Sequence, residues 1–195
     1  MRFLLGISRA IDALSLNVNK VVIWLVLLAT LVSAVNALVR FTLHNSSNAW
    51  LELQWIMFGA IFLLGASYTF MKNGHVRVDV LYGKYPPRVK VWVDLLGTLS
   101  FLIPSAVVIL LTSLPWVANS ISTREMSPDA GGLPYWPIKL LIPVAFALLI
   151  LQAVSEVIKR IAMLTGHLAI PEYKTEEEAE VQEVKALVEQ KEELR

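Results

Sequence analysis

Cysteine is missing from this chain of 195 residues. Its absence excludes disulfide cross-links, thiolate metal sites, iron–sulfur clusters and catalysis by a thiol. Histidine is scarce as well, with only His44, His75 and His167, and all three lie outside the long apolar runs. Haem ligation within a helical bundle needs histidines that face one another across it. The sequence therefore predicts no cofactor and no metal site.

Charge is also sparse, because charged residues make up 17% of the chain and hydrophobic residues 56%. A soluble domain of this length carries more charge and fewer long apolar runs. Crossing a hydrocarbon core of about 30 Å takes about 20 helical residues. Four runs are long enough, and they cover residues 21–39, 49–71, 91–114 and 137–158. We predict an all-α integral membrane protein whose four transmembrane helices form one domain over residues 18–160.

The N-terminal segment, residues 1–17, has a different pattern. Its apolar residues, including Phe3, Ile7 and Leu14, fall at helical spacing, with Arg9 and Asp12 on the opposite side. This arrangement predicts an amphipathic helix that lies at the membrane surface. A frayed, poorly ordered terminus is the alternative.

The C-terminal segment, residues 161–195, is acidic. It carries 9 acidic and 4 basic groups, whereas residues 1–160 carry 7 acidic and 13 basic groups. Thr175 followed by Glu178 has the spacing of a capping box, which favours the start of a helix. We predict a solvated acidic helix in the cytoplasm, with a partner-binding helix as the alternative. Nucleic-acid binding is not expected, because the long soluble segment is acidic.

The lysine and arginine residues predict the orientation. They concentrate in the N-terminal segment, in the second connection around residues 72–90, and just after the fourth run. Because positive charge stays on the cytoplasmic side, both termini and the middle loop are predicted to be cytoplasmic. This pattern predicts a multi-pass membrane protein.

The second apolar run begins with polar groups that a plain membrane anchor does not need. Trp50, Glu52, Gln54 and Trp55 stand in its first two turns. A carboxylate is favoured at a helix N-terminus by the helix dipole, which accounts for Glu52 alone. Together with the close packing that Gly59 permits, these residues predict a contact with another protein near the outer surface.

Two further groups of polar residues are candidates for contacts. Glu156 in the last helix is predicted to pair locally with Lys159 or Arg160, and Gln152 to face another helix. The outer loop, predicted over residues 115–137, mixes charge with turn-forming residues and is a candidate docking surface for an extracytoplasmic partner. Pro104 and Pro143 each remove a backbone hydrogen bond, so irregular helix geometry is expected near them.

The combination of motifs resembles a known family. The sequences Trp50-Leu51-Glu52, Phe62-Leu63-Leu64-Gly65-Ala66-Ser67-Tyr68 and Gly74-His75-Val76-Arg77-Val78-Asp79 are similar to those of the small, DctQ-like membrane subunit of tripartite ATP-independent periplasmic (TRAP) transporters. The resemblance covers about residues 15–160. Many members carry a second acidic residue after the first, whereas Leu53 and Gln54 follow Glu52 here.

The resemblance implies a non-enzymatic accessory role in the bacterial cytoplasmic (inner) membrane. In this family an extracytoplasmic binding protein captures a solute, usually an organic acid, and a large membrane subunit moves it together with sodium ions. The small subunit is expected to brace the large one. On this basis Trp50, Glu52, Gln54, Trp55 and Gly59 are candidate contacts with the large subunit.

Two other sets of residues receive roles on the same basis. Arg124, Glu125 and Asp129 are candidates for docking of the binding protein. His75, Arg77 and Asp79 are expected to position the inner loop at the lipid surface. Two alternatives stay open: an anchor subunit of a membrane redox complex, and a small channel or transporter formed by several copies of this chain.

Overall fold

The computed structural model describes residues 1–44, 47–74 and 85–170. Four of the helices in this part are long and apolar enough to cross a membrane. They are α1 (Arg2–Leu43), α2 (Asn48–Met71), α3 (Pro87–Ser122) and α4 (Trp136–Leu164). The prediction of an all-α membrane protein with four spanning helices is confirmed. His75, Arg77 and Asp79 lie outside the described residues, as does the acidic tail from residue 171.

The first helix is much longer than its predicted span. α1 has 42 residues, so at 1.5 Å per residue it measures about 63 Å, twice the thickness of a hydrocarbon core. It continues without a break past residue 17, where a separate surface helix was expected to end. Several large apolar residues of the first 17 are exposed, and Phe3 is the most exposed of them at 78%. That this segment lies at the membrane surface stays a prediction.

The third helix contains an irregular turn just before a proline. α3 is α-helical over Pro87–Gly97, π-helical over Thr98–Leu102 and α-helical again over Ile103–Ser122. Pro104 has no N–H to donate to the preceding turn, and the wider π turn lies where that hydrogen bond is missing. The hydroxyls of Ser100 and Ser105 donate 2.6 Å hydrogen bonds to the carbonyls of Leu96 and Phe101. The irregularity expected at Pro104 is therefore a π-helical turn.

The outer loop is shorter than the sequence predicted. Pro115 lies inside α3, which continues to Ser122, so the loop covers residues 123–135 instead of 115–137. One proline removes only one hydrogen bond, and Val117 and Ser120 beyond it are buried. The packing of this last part of α3 offsets the lost hydrogen bond. Pro137 lies in the first turn of α4, where proline fits best.

The fourth helix is the centre of the bundle. α4 packs against α1, α2 and both α-helical parts of α3, while α1 and α2 also pack against each other. Small residues line these contacts, and Ala29, Ala60, Ala106, Ala145 and Ala153 are all buried. Small side chains let helix backbones approach closely in a membrane protein.

Helices that are consecutive in the chain run in opposite directions, which gives the bundle two distinct ends. We call the end that carries the loop of residues 123–135 the loop end; the last turns of α1 and the first turns of α2 lie there. The opposite end, with residue 1 and the last turns of α4, is called the terminal end. Polar side chains concentrate at both ends.

Candidate functional site

The carboxylate of Glu52 holds the outer loop at the loop end. This side chain is 3% exposed and accepts hydrogen bonds from the Ser127 hydroxyl and from the Leu133 backbone N–H, the latter at 2.6 Å. The loop approaches so closely that a Cβ atom added to Gly132 would lie 2.6 Å from Glu52 Oε1. Asn48 adds a 3.1 Å hydrogen bond from its side-chain amide to the Ala130 carbonyl. The first two turns of α2 thus fasten a loop that connects two other helices.

A buried lysine fixes the same loop from the side of α4. Lys139 is 8% exposed, forms an ion pair with Glu125, and lies 4.3 Å from the centre of the Trp116 ring. The hydrogen bond from Lys139 holds the pKa of the Glu125 carboxyl below its ordinary value of 4.5. Backbone hydrogen bonds of 3.0 Å from Tyr135 N to Glu125 O and from Ser127 N to Leu133 O close the loop into a small hairpin.

The five candidate contacts with the large subunit differ in how far their side chains are exposed. Glu52 is buried beneath the loop, so its carboxylate faces this chain's own backbone. Trp50 and Trp55 are 45% and 43% exposed, and the ring of Trp55 meets Tyr135 edge-on at 6.3 Å. Gln54 is half-buried and lines a cleft beside α1.

Gly59 lies at a helix contact inside the bundle. A Cβ atom added there would come within 3.9 Å of Ile138 in α4, which is ordinary van der Waals distance. A methyl group would therefore fit at this position, which faces α4.

The three candidates for docking of a binding protein also differ in how far their side chains are exposed. Arg124 and Asp129 are exposed, whereas Glu125 is half-buried and paired with Lys139. Arg124 also has a positive φ of 49°, which turns the chain out of α3. The sequence did not indicate that Ser127 and Lys139 would hold the loop. The contact between Glu52 and a loop more than 70 residues away had no local signal.

At the terminal end, Gln152 joins α4 to α1. It is fully buried, accepts a 2.7 Å hydrogen bond from the Ser15 hydroxyl and donates one of 2.8 Å to Asp12. Ser155 donates a 2.8 Å hydrogen bond to the same Asp12 oxygen, and its hydroxyl lies 2.7 Å from that of Ser8. The prediction that Gln152 faces another helix is confirmed.

Ion pairs continue this network around the last turns of α4. Glu156 lies 2.5 Å from Lys159 and 3.5 Å from Arg160, which confirms its predicted local pairing. Lys159 also reaches Asp12 in α1 at 3.1 Å. Arg160 pairs with Asp94 of α3 at 3.0 Å and donates a 3.0 Å hydrogen bond to Asn73, beyond the end of α2. One short stretch of α4 therefore bonds to α1, to α3 and to the residue Asn73 that follows α2.

The two polar ends give the bundle fixed geometry. Each buried charge named above has a partner of opposite charge or several hydrogen bonds, as buried charges require. Between the ends, the helices meet through small and apolar side chains. This arrangement suits a rigid framework that holds exposed surfaces in place.

The family comparison agrees with this architecture. The family model described as "Tripartite ATP-independent periplasmic transporters, DctQ component" matches residues 29–163, which is more than half of the chain. The matched region contains α2, α3, the outer loop, the last 15 residues of α1 and all of α4 except its last residue. No curated protein and no solved structure matches the chain. The chain belongs to the DctQ family and is the small membrane component of a TRAP transporter.

Proposed function

We propose that this subunit braces the large membrane subunit of a TRAP transporter and presents a docking surface to the extracytoplasmic binding protein. The transporter then takes up an organic acid together with sodium ions, in the cytoplasmic membrane, with both termini of this chain in the cytoplasm. The observation that carries the proposal is the family match together with a bundle whose two ends are each held by buried polar contacts.

Rigidity is the first support for a bracing role. A large subunit that moves during transport needs a partner whose own helices keep their positions. Here α4 contacts every other helix, and its last turns form ion pairs or hydrogen bonds with α1, α3 and the residue Asn73 that follows α2. Removing one partner of a buried ion pair costs about 3 to 5 kcal/mol, so these contacts resist separation of the helices.

The second support is an exposed aromatic surface next to the anchored loop. Trp50 and Trp55 lie on α2 with almost half of each side chain exposed. Tryptophan is enriched among the residues that dominate protein interfaces, and it also sits well at the membrane–water boundary. We propose these two residues, with Gln54, as the contact with the large subunit. Glu52 acts indirectly, by setting the position of the loop, whereas Gly59 faces α4 inside the bundle.

The loop supplies the proposed contact with the binding protein. Arg124 and Asp129 present opposite charges on an exposed hairpin, and Glu125 holds that hairpin through Lys139. Charged surface residues steer association and make it sensitive to salt. On the other side of the membrane, His75, Arg77 and Asp79 are proposed to position the inner loop at the lipid surface.

Co-purification tests the proposed contact with the large subunit. A tagged chain is coexpressed with the large TRAP subunit, and recovery of the complex is compared with that of a Trp50→Ala, Trp55→Ala double variant. We expect at least a tenfold loss of the large subunit, because interface tryptophans often contribute about 2 kcal/mol or more. Trp92→Ala is the matched control, since Trp92 is 50% exposed but lies near the terminal end.

Full recovery of the complex with the double variant would place the contact elsewhere. Reconstituted uptake then separates the classes of function. Uptake that requires the large subunit, the binding protein and sodium supports the accessory role. Uptake or conductance by this chain alone would favour the homo-oligomeric channel, and a haem- or flavin-bearing partner would favour the redox anchor.

A further inference from the structure

A polar cleft opens between α1 and α2 at the loop end. Its volume is about 500 Å³, which is within the range of small-molecule sites. Five polar side chains line it: Ser33, Asn36, Arg40, His44 and Gln54. The cleft lies on the α1 side of α2, away from the loop that Glu52 holds.

The polar groups of this cleft lack protein partners. Within residues 1–44, 47–74 and 85–170, the side chains of Asn36, Arg40 and Gln54 make no hydrogen bond or ion pair with the protein. Glu52, only two residues from Gln54, has two hydrogen bonds. At the membrane boundary, such polar side chains find their hydrogen-bond partners in water or in a bound ligand. A ligand with several acceptor oxygens would satisfy the cleft.

The charge and position of the cleft select the ligand. A guanidinium group binds phosphate through paired hydrogen bonds, and side-chain amides add further donors. Arg40 lies one residue beyond the predicted first span, at the level where lipid headgroups meet the hydrocarbon core. Two exposed apolar residues, Phe41 and Leu51, also line the cleft and offer surface to acyl chains.

We propose that Arg40, with Asn36, binds the phosphate group of a phospholipid from the surrounding leaflet. The lipid fills the cleft between α1 and α2 and holds the last turns of α1 against the beginning of α2. This site does not depend on the proposed transport function, because it needs only this chain and the membrane.

Native mass spectrometry of the purified, delipidated chain in detergent tests the site directly. The chain is titrated with phosphatidylglycerol, and with a diacylglycerol that has the same acyl chains but no phosphate. We expect one phosphatidylglycerol to bind at least tenfold more tightly than diacylglycerol. Arg40→Gln should weaken phosphatidylglycerol about tenfold, the loss of one charge-assisted contact. Asn36→Leu should weaken it as well.

Arg88→Gln is the matched control, because it removes an exposed arginine at the terminal end and should leave the affinity unchanged. Equal affinity in the wild type and Arg40→Gln would overturn the proposal, and so would equal binding of diacylglycerol. Displacement of the lipid by an equal concentration of glycerol phosphate would show a site for free anions instead. Absence of phospholipid binding to the wild-type chain would leave the cleft to a protein partner and also refute the proposal.

Discussion

At Glu52 one carboxylate accepts hydrogen bonds from a hydroxyl and a backbone amide of the same loop. Gly132 packs against this carboxylate and leaves no space for a side chain of its own. The sequence suggested that this carboxylate could bind a partner, but both of its oxygens accept hydrogen bonds from this chain's own loop. Glu52 therefore has a structural role, because it fixes the position of the outer loop.

Substitution of Glu52 should release this loop. Glu52→Ala is expected to lower the free energy of unfolding by about 3 kcal/mol, since hydrogen bonds to a charged group are lost and Leu133 N–H is left without its acceptor. Glu52→Gln keeps the shape and one acceptor oxygen, so its loss should be smaller. Chemical unfolding in detergent and limited proteolysis of residues 123–135 measure the two effects. Equal stability of Glu52→Ala and the wild type would contradict the assigned role.

Glu125 should make the loop sensitive to acid. Its pKa is lowered from 4.5, chiefly by the hydrogen bond from Lys139. A carboxyl whose pKa is lower in the folded state stabilises that state above its ordinary pKa, and this stabilisation is lost as the pH falls through the lowered value. Proteolysis of the loop should therefore accelerate below about pH 4.5.

Two variants isolate the contribution of Glu125. Glu125→Gln should remove this part of the pH dependence and make the loop more sensitive at neutral pH. Asp129→Asn changes an exposed carboxylate of the same loop and should leave the profile as in the wild type. If Glu125→Gln kept the full acid response, another group would be responsible.

Among the elements, α1 and α4 show how buried polar groups specify helix pairing. Gln152 and Ser155 of α4 both donate hydrogen bonds to Asp12 of α1, and the buried Gln152 accepts one from Ser15. Hydrogen bonds between helices in membranes contribute about 0.6 to 2 kcal/mol each, and they fix one register in preference to neighbouring ones. The register of α1 therefore depends on a few polar residues near its beginning.

Gln152→Leu tests this dependence. The change leaves Ser15 without its acceptor and removes one donor from Asp12, so we expect a loss of about 2 kcal/mol in stability. Amide hydrogen exchange should rise in the first turns of α1 more than in α2. Leu151→Ala is the control, because Leu151 is 43% exposed and its apolar side chain takes no part in the hydrogen bonds between α1 and α4. Unchanged exchange in α1 would show that the network does not hold this segment.

The same elements show what the sequence could and could not predict. Long apolar runs identified all four helices, and the spacing of Glu156, Lys159 and Arg160 identified a local pairing. Helix ends were harder to predict. Pro115 suggested that α3 ends there, but the helix continues to residue 122, where Val117 and Ser120 are buried. The partners of Glu52 and Gln152 lie far away in sequence, and periodicity carries no information about such pairs.

At the scale of the whole molecule, the central position of α4 makes the bundle sensitive to larger side chains on this helix. Because three helices converge on it, its packing surface has little room, and Ala153 is fully buried there. A larger side chain at this position must push more than one neighbour.

Ala153→Leu should destabilise the whole bundle by about 1 to 3 kcal/mol, the usual effect of overfilling a packed core. Val154→Leu, at the adjacent and 40% exposed position, should have little effect. Thermal unfolding in detergent compares the two variants. Similar melting temperatures for both would mean that α4 is packed more loosely than its burial indicates.

The loop that joins α3 to α4 is fastened by α2, and the last turns of α4 are fastened to α1. The first helical hairpin and the second are thus linked at both ends by side chains, in addition to the peptide chain that runs between them. It follows that the covalent connection between residues 74 and 85 is not what keeps the hairpins together. A gene cut in this interval should yield two fragments that reassemble in the membrane, so the subunit is suited to assembly from separately inserted halves.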